Sequence, residues 1–226
     1  MASDDLHVTE YDATTGILKF DRSRYSNDTN AGLNWYHWGA EKSTAEEYNG
    51  VDMRGEVLIL TRNIKVYGQD IESWGAQVVT SDTVEFNSEG NMITRTGETH
   101  IDNVEFFNCS QIDTQKSAVR FEGAATLSSS LTNSALHNGY SWGLSIKSSK
   151  NILIKDNVIY NFRPVGVNIG ASHNITLDGN VVAHITVRTT KLAGDKAQDV
   201  EGAVLSCTYY SEKERCKDIT IQNNIV

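Results

Sequence analysis

A single proline, Pro164, stands in 226 residues, so turns in this chain must come from elsewhere; seventeen glycines and many asparagines are there to make them. Cysteine is nearly as scarce. Cys109, Cys207 and Cys216 form no Cys-x-x-Cys pair and no cluster with histidine, which excludes the common zinc sites and leaves no metal or cofactor expected. No apolar run approaches the length of a membrane span, and Met1-Ala2-Ser3-Asp4-Asp5 is no signal peptide, so no direct membrane insertion is expected of this segment. Positive charge is in deficit: 20 Lys+Arg against 29 Asp+Glu leave a formal net charge of −9. That balance argues against nucleic acid and anionic membranes as partners, and an anionic polysaccharide would need a local basic strip. Gly-x-Ser-x-Gly, His-Glu-x-x-His and phosphate-loop motifs are also missing.

What the chain does contain is a repeat. Asn151–Phe162, NILIKDNVIYNF, and Asn174–Ile185, NITLDGNVVAHI, share one phrase at an offset of 174 − 151 = 23 residues. Gly143-Leu144-Ser145-Ile146 and Gly166-Val167-Asn168-Ile169 match at the same offset, and Gly202–Leu205 with Asp218–Val226 supply a later copy interrupted by insertions. Looser copies lie at Ala118–Phe121 with Leu131–Leu136, at His100–Phe106, and at Glu56–Leu60 with Asn63–Val66. Apolar residues alternate with period two, so the units are strands, with Ile152, Ile154, Ile175, Leu177, Ile219 and Ile221 on the inner side. About three strands fit in each unit. Strands this short bury their apolar side only by stacking on their own copies, coil upon coil. The predicted fold is all-β, a parallel β-helix with coils of about 23 residues, and right-handed because the period is too long and irregular for the left-handed hexapeptide type. Residues 51–226 form the helix, and residues 1–50, with Trp35, Tyr36 and Trp38 close together, pack on or cap its first coils.

Asn157, Asn180 and Asn224 recur between the second and third strands, where the chain bends. Asparagine tolerates the left-handed conformation such a bend requires, and stacked inward amides bond one another along the axis, so the three are read as corner residues and an Asn ladder. Asp82–Asn91 reads as a turn-rich connection, and Thr186–Val200 and Thr208–Arg215 as loops bulging from the coils. Cys207 and Cys216 bracket the second loop, and a disulfide is expected there, two free buried thiols being the alternative. Sequons at Asn27, Asn108 and Asn174 lean towards a secreted context. The closing residues Asn224-Ile225-Val226 stop inside a coil whose other copies run on, and the chain is expected to be a length of a longer helix.

Many parallel β-helices degrade polysaccharides with paired carboxylates, or with a base and a cation, on one outer wall. Here the outward positions of the first strand read Arg120, Ser145, Asn168 and Val204, with Lys147 at the margin, and hold no carboxylate pair. The second strand offers Leu153/Lys155, Thr176/Asp178 and Thr220/Gln222, where Asp178 reads as a solvated charge. His137, His173 and His184 share no ligand spacing, so no catalytic residue is assigned. Arg120, Ser145, Lys147 and Asn168 are the candidates for contact with a sugar chain, flanked by Tyr140 and Trp142; a plain polar wall is the alternative.

Four phrases carry a family resemblance: YHWG (Tyr36–Gly39), VDMRGEVLILTRNIKVYG (Val51–Gly68), HIDNVEFFNCSQ (His100–Gln111) and SALHNGYSWGLSI (Ser134–Ile146). From about Trp35 onward the chain resembles the fibrocystin and fibrocystin-L (polyductin) family, in a region shared with the cell-migration-inducing hyaluronan-binding proteins and their transmembrane hyaluronidase relatives. The resemblance implies a right-handed parallel β-helix in the ectodomain of a large extracellular or ciliary-surface protein. Hyaluronan-degrading members carry a His-rich phrase where this chain has Ser117–Gly123, so the resemblance favours the fibrocystin-like branch, for which no enzymatic activity is implied. The function expected is a non-catalytic structural or adhesive scaffold meeting an unidentified extracellular protein or glycan. A hyaluronan-type depolymerase and a glycan-binding module are the rivals.

Overall fold

The structure, a computed structural model, describes residues 6–22, 57–69, 74–187, 203–208 and 215–226. The chain divides into two compact units, Met1–Val57 and Leu58–Val226. In the first, β1 (Leu6–Asp12) and β2 (Ile17–Arg22) pair as an antiparallel hairpin. The Asp12 carboxylate accepts the Thr14 N–H at 2.8 Å and the Thr15 hydroxyl at 2.7 Å, and Gly16 takes the left-handed φ of 70° that closes the turn. Trp35, Tyr36, Trp38 and most of the expected cap lie outside the described residues.

The second unit holds three parallel sheets of five strands among the described residues. Sheet I stacks β3 (Ile64–Tyr67), β8 (Val104–Phe107), β11 (Ala135–His137), β14 (Val158–Phe162) and β17 (Val181–Ile185). Sheet II stacks β4 (Val78–Thr80), β9 (Val119–Glu122), β12 (Leu144–Lys147), β15 (Val165–Gly170) and β18 (Ala203–Thr208). Sheet III stacks β7 (His100–Asp102), β10 (Ser129–Thr132), β13 (Lys150–Lys155), β16 (His173–Asp178) and β19 (Lys217–Gln222). The chain visits the sheets in the order I, II, III in every coil, which is a parallel β-helix. The expected opening strand at Glu56–Leu60 is not paired where it is described, and the stack begins at Ile64.

Alternation places one side of each strand inside. Ile101, Leu131, Ile154, Leu177 and Ile221 share one register line of sheet III, and Ser129, Ile152, Ile175 and Ile219 the next. Sheet I contributes Val66, Phe106, Leu136, Ile159 and Val182, and sheet II contributes Val119, Leu144 and Val167 with Phe121, Ile146 and Ile169. Most of the apolar side chains are fully buried, each contributing roughly 1.5–3 kcal/mol of apolar transfer, whereas Ile221 in β19, expected on the inner side, is 52% exposed.

The corners differ from the sequence expectation in one respect. Asn157, Asn180 and Asn224 do not take the left-handed conformation. The residue before each does: Asp156, Gly179 and Asn223 have φ of 55°, 67° and 57°, and Asn103 and Asn133 do the same in earlier coils. The next residue then turns its side chain inward, and its own backbone N–H would be left unpaired without an acceptor from the following coil. That acceptor is the side-chain oxygen stacked on it: Ser134 Oγ takes the Val104 N–H at 3.1 Å and Asn157 Oδ1 the Ser134 N–H at 2.9 Å. Asn180 Oδ1 takes the Asn157 N–H at 3.0 Å, and Asn224 Oδ1 the Asn180 N–H at 2.8 Å. Each Nδ2 donates onward: Asn157 to Leu131 O and Asn180 Oδ1 at 2.8 and 2.9 Å, Asn180 to Ile154 O and Asn224 Oδ1 at 2.9 Å each. Serine does the same at the corner from sheet II to sheet III, where Ser149 Oγ accepts the Ala124 N–H and Ser172 Oγ the Ser149 N–H, both at 3.2 Å.

Two further features complete the unit. The expected connection at Asp82–Asn91 is largely an antiparallel hairpin, β5 (Thr83–Phe86) and β6 (Met92–Arg95), whose turn is built on Asn87 Oδ1 accepting the Glu89 and Asn91 N–H groups. Asp82 roots it by accepting the Gly97 N–H at 2.8 Å and the Thr126 hydroxyl at 2.6 Å. On the outer wall of sheet III, Asp178 receives Lys155 Nζ at 3.0 Å and Asn223 Nδ2 at 2.8 Å. The Asn223 amide and then Lys155 hold its carboxyl below the usual carboxylate range, as the Thr126 hydroxyl does first for Asp82 and the Thr132 hydroxyl for Asp102.

Asn180→Ala leaves the buried Asn157 N–H without its acceptor and removes one donor from the Ile154 carbonyl, and should cost about 2–3 kcal/mol. Asn180→Ser keeps an acceptor of the kind Ser134 supplies and should cost about half that. Urea unfolding midpoints for the two variants test the order; equal midpoints would show that the ladder amide does not hold the corner. The three aspartates give a second expectation. Their folded pKa values lie below the unfolded value of 3.8, so the stability they contribute is present above that pH and is lost as pH falls through the lowered values. The midpoint should drop on acidification below about pH 4, and Asp178→Asn should make that drop shallower.

Candidate functional site

The strip expected to meet a sugar chain lies on the outer wall of sheet II. Arg120, Ser145 and Asn168 follow one another in register there, and Glu122, Lys147 and Gly170 form the line beside them. The two lines together do not make a cationic track. The Arg120 guanidinium bonds the Glu122 carboxylate and reaches Gln77 Oε1 at 3.2 Å, and its side chain is only 19% exposed. Lys147 is exposed, whereas Asn168 is buried along with the backbone of Gly166 and Gly170. The next position is not Val204. Asn168 pairs with Ser206, because Val167 stacks with Leu205 and Ile169 with Cys207, a slip of two residues from the sequence alignment. Trp142 is buried and Tyr140 half-buried, so no open aromatic platform flanks the strip.

A second arrangement, on the outer wall of sheet I, was not foreseen. Glu105 on β8 and His137 at the end of β11 are both buried, with His137 Nε2 at 3.3 Å from Glu105 Oε1. The other carboxylate oxygen accepts the Arg62 N–H at 2.9 Å and lies 3.2 Å from Lys65 Nζ. Arg62 continues across the wall, donating through Nε to the Asn133 carbonyl at 2.7 Å. Tyr67, Phe107 and His137 stack beside these groups with ring centroids 5.1 Å apart in each pair. Both carboxylate oxygens are thus engaged by donors from three places in the chain. The arrangement fastens the Arg62–Tyr67 stretch to the coils that follow, and a carboxylate so held is poorly placed to act as a free base. The signal was present in the sequence: NVEFFN (Asn103–Asn108) and NSALHN (Asn133–Asn138) align, putting Glu105 and His137 on the outward lines of adjacent strands.

The remaining expected residues are placed as follows. Asp178 is ion-paired, as described above. His173 is half-buried at the start of β16, and His184 has a left-handed φ of 55° with its ring 5.4 Å from that of Tyr160. Asn108 is half-buried, Asn174 is exposed, and Asn27 lies outside the described residues, as do the two expected loops apart from Thr186, Val187, Thr208 and Arg215. Cys109 is buried and free, and burial pushes its thiol up to about 12. Cys216 is not among the free thiols; its sulfur lies 3.7 Å from the Ile169 carbonyl oxygen, and the side chain of Cys207 lies outside the described residues. Among the described residues no three His, Cys, Asp or Glu side chains gather as metal ligands, and no helix is long and apolar enough to cross a membrane.

Comparison with known proteins bears on the fold and on the relatives. The family model for the right-handed beta helix region matches residues 90–226. Human fibrocystin-L is 31% identical over 174 residues, a match covering 69% of this chain and 4% of that protein. Mouse fibrocystin-L is 29% identical over 173 residues, with the same coverage of 69% and 4%. The chain therefore spans a small part of the length of these relatives, and no solved structure matches it. A parallel β-helix turning through three sheets, a matching family model over most of its coils, and homology to fibrocystin-L place this chain in the right-handed β-helix family.

Proposed function

We propose that this segment is a non-catalytic extracellular module, a structural and adhesive scaffold within a fibrocystin-like cell-surface or ciliary protein. The observation that carries the reading is the state of the ionisable side chains on the three walls. Arg120 is matched to Glu122, Lys65 and His137 to Glu105, and Lys155 to Asp178. A glycan depolymerase needs one carboxyl free to give a proton and a second free to attack or to activate water, roughly 5–9.5 Å away. The carboxylates of these pairs are occupied by donors, and at Asp178 the Asn223 amide and then Lys155 hold the carboxyl below the usual range, which suits a wall better than an acid catalyst. Homology to fibrocystin-L supports the extracellular placement.

The test is incubation of the intact parent ectodomain with hyaluronan and other polysaccharides, followed by measurement of chain length. No shortening is expected. Depolymerisation that disappears on Arg120→Ala would overturn the scaffold reading in favour of an enzyme, and a strong hit on a glycan array without depolymerisation would replace it with a glycan-binding module.

The placement in an oxidising compartment also bears on Cys207 and Cys216, which we assign to one disulfide. Cys216 holds the corner position occupied by Ser149 and Ser172 in earlier coils, and Cys207 the register position of Ile169. A bridge there would close residues 208–215 at their base and add about 3 kcal/mol through the constrained unfolded chain. Thiol labelling of the secreted, denatured, unreduced protein should then modify Cys109 alone; labelling at all three cysteines would show that the bridge is absent.

A further inference from the structure

Outside the corner ladder runs a column of short polar side chains, on the wall of sheet III. Asn151 in β13, Asn174 in β16 and Asp218 in β19 each adopt a left-handed φ, of 59°, 53° and 53°, and Asn174 Nδ2 donates to Asn151 Oδ1 at 2.8 Å. Asn174 is exposed, while the next residue, Ile175, is a fully buried core rung, so the asparagine is held at a fixed place on an open wall. Asn174-Ile175-Thr176 is also a sequon, with the threonine two residues on and half-buried on the outer face. The other described sequon differs: Asn108 is half-buried, and its hydroxyl residue, Ser110, is fully buried with Oγ accepting the Ser141 N–H at 2.7 Å.

We propose that Asn174 is an N-glycosylation site whose sugar stands on the sheet III wall and is oriented by Asn151. The proposal rests on the extracellular placement argued above. In the reaction, Asn174 Nδ2 attacks the anomeric carbon of a polyprenyl-diphosphate-linked oligosaccharide. The carbon–nitrogen bond forms, the bond from that carbon to the diphosphate oxygen breaks, the lipid diphosphate departs, and Nδ2 loses one of its two protons. The second proton remains and keeps the bond to Asn151 Oδ1, so the modified side chain fits the same column as the unmodified one. Asn151 acts as a positioning residue, and Thr176 supplies the sequon hydroxyl.

The experiment directs the chain with an added secretion leader through cultured animal cells, and measures the intact mass and the peptide containing position 174 before and after peptide N-glycosidase. Wild type should carry a glycan at position 174, and Asn174→Gln and Thr176→Val should each lose it. Thr176→Val keeps Asn174 and its bond to Asn151, so its loss of the glycan reports the sequon rather than a damaged fold. Secreted, folded wild-type protein with an unmodified position 174 overturns the proposal, and this outcome does not depend on whether either variant is secreted. The placement is read separately, by protease shaving of the full-length parent on intact cells: protection of the parent would overturn the placement while leaving the occupancy of Asn174 in the secreted chain as measured.

Discussion

A stack of parallel strands satisfies its backbone along the sheets and fails at the corners. Where the chain passes from sheet III to sheet I, a left-handed residue bends the backbone round the corner and the next residue faces the interior, carrying an N–H that no strand partner can reach. A buried amide left in that state costs about as much as a lost hydrogen bond, and the cost recurs in each coil. Ser134, Asn157, Asn180 and Asn224 remove it by lending a side-chain oxygen to the coil before. The amide groups then donate to Leu131, Ile154 and Leu177 carbonyls, so the interior of the corner holds matched donors and acceptors. Coil-on-coil register follows from this, because a one-residue slip would empty every such acceptor and also turn the isoleucines of β13 and β16 outward.

That constraint separates the parts of the chain that must repeat from the parts free to vary. The ladder position is asparagine in three successive coils because the side chain must both accept and donate in the same place. The position before it is Asn133, Asp156, Gly179 and Asn223 in turn, since there only a conformation is required and several residues tolerate it. Ladder residues stand 157 − 134 = 23 and 180 − 157 = 23 residues apart, then 224 − 180 = 44 across the two insertions. The bond from Asn180 Nδ2 to Asn224 Oδ1 nevertheless has the same 2.9 Å length as the bond from Asn157 to Asn180. Length can be added outside the corners without disturbing them, which is how a solenoid accepts long loops.

The same distinction explains what could be read from the amino-acid sequence. Stacked isoleucines and repeated asparagines are local chemistry repeated at a fixed spacing, so the strands, the core face and the coil length were legible. The left-handed role assigned to Asn157 and Asn180 was misplaced by one residue, because a constant conformation leaves a variable sequence. The line Arg120–Ser145–Asn168 was legible as far as the repeat was regular; across the insertion the register moved from Val204 to Ser206, and nothing in Gly202–Leu205 marks where the chain rejoins the stack. The pairing of Glu105 with His137 does not follow from the repeat, because the two sit 137 − 105 = 32 residues apart, in the coil enlarged by residues 108–118, where the 23-residue rule does not hold. Glu122 is not legible as a partner of Arg120 for a simpler reason: the strip follows one line of outward residues, and the ion pair joins two.

The walls are therefore where function has to be sought, and they are not equivalent. Sheet I carries a buried carboxylate fastened to Arg62, Lys65 and His137, an arrangement that orders the first coil and offers little to a ligand. Sheet II places Arg120 against Glu122 and buries Asn168, leaving Lys147 as its exposed cation among the strip residues. Sheet III is polar, internally hydrogen-bonded and open, and its left-handed asparagines hold side chains at regular heights along the axis. A sugar on Asn174 would keep that wall solvated, for an oligosaccharide there excludes close approach of another protein surface. Close contact with a partner would then be left to surfaces other than that wall, so the wall richest in ordered polar groups would serve solubility and orientation.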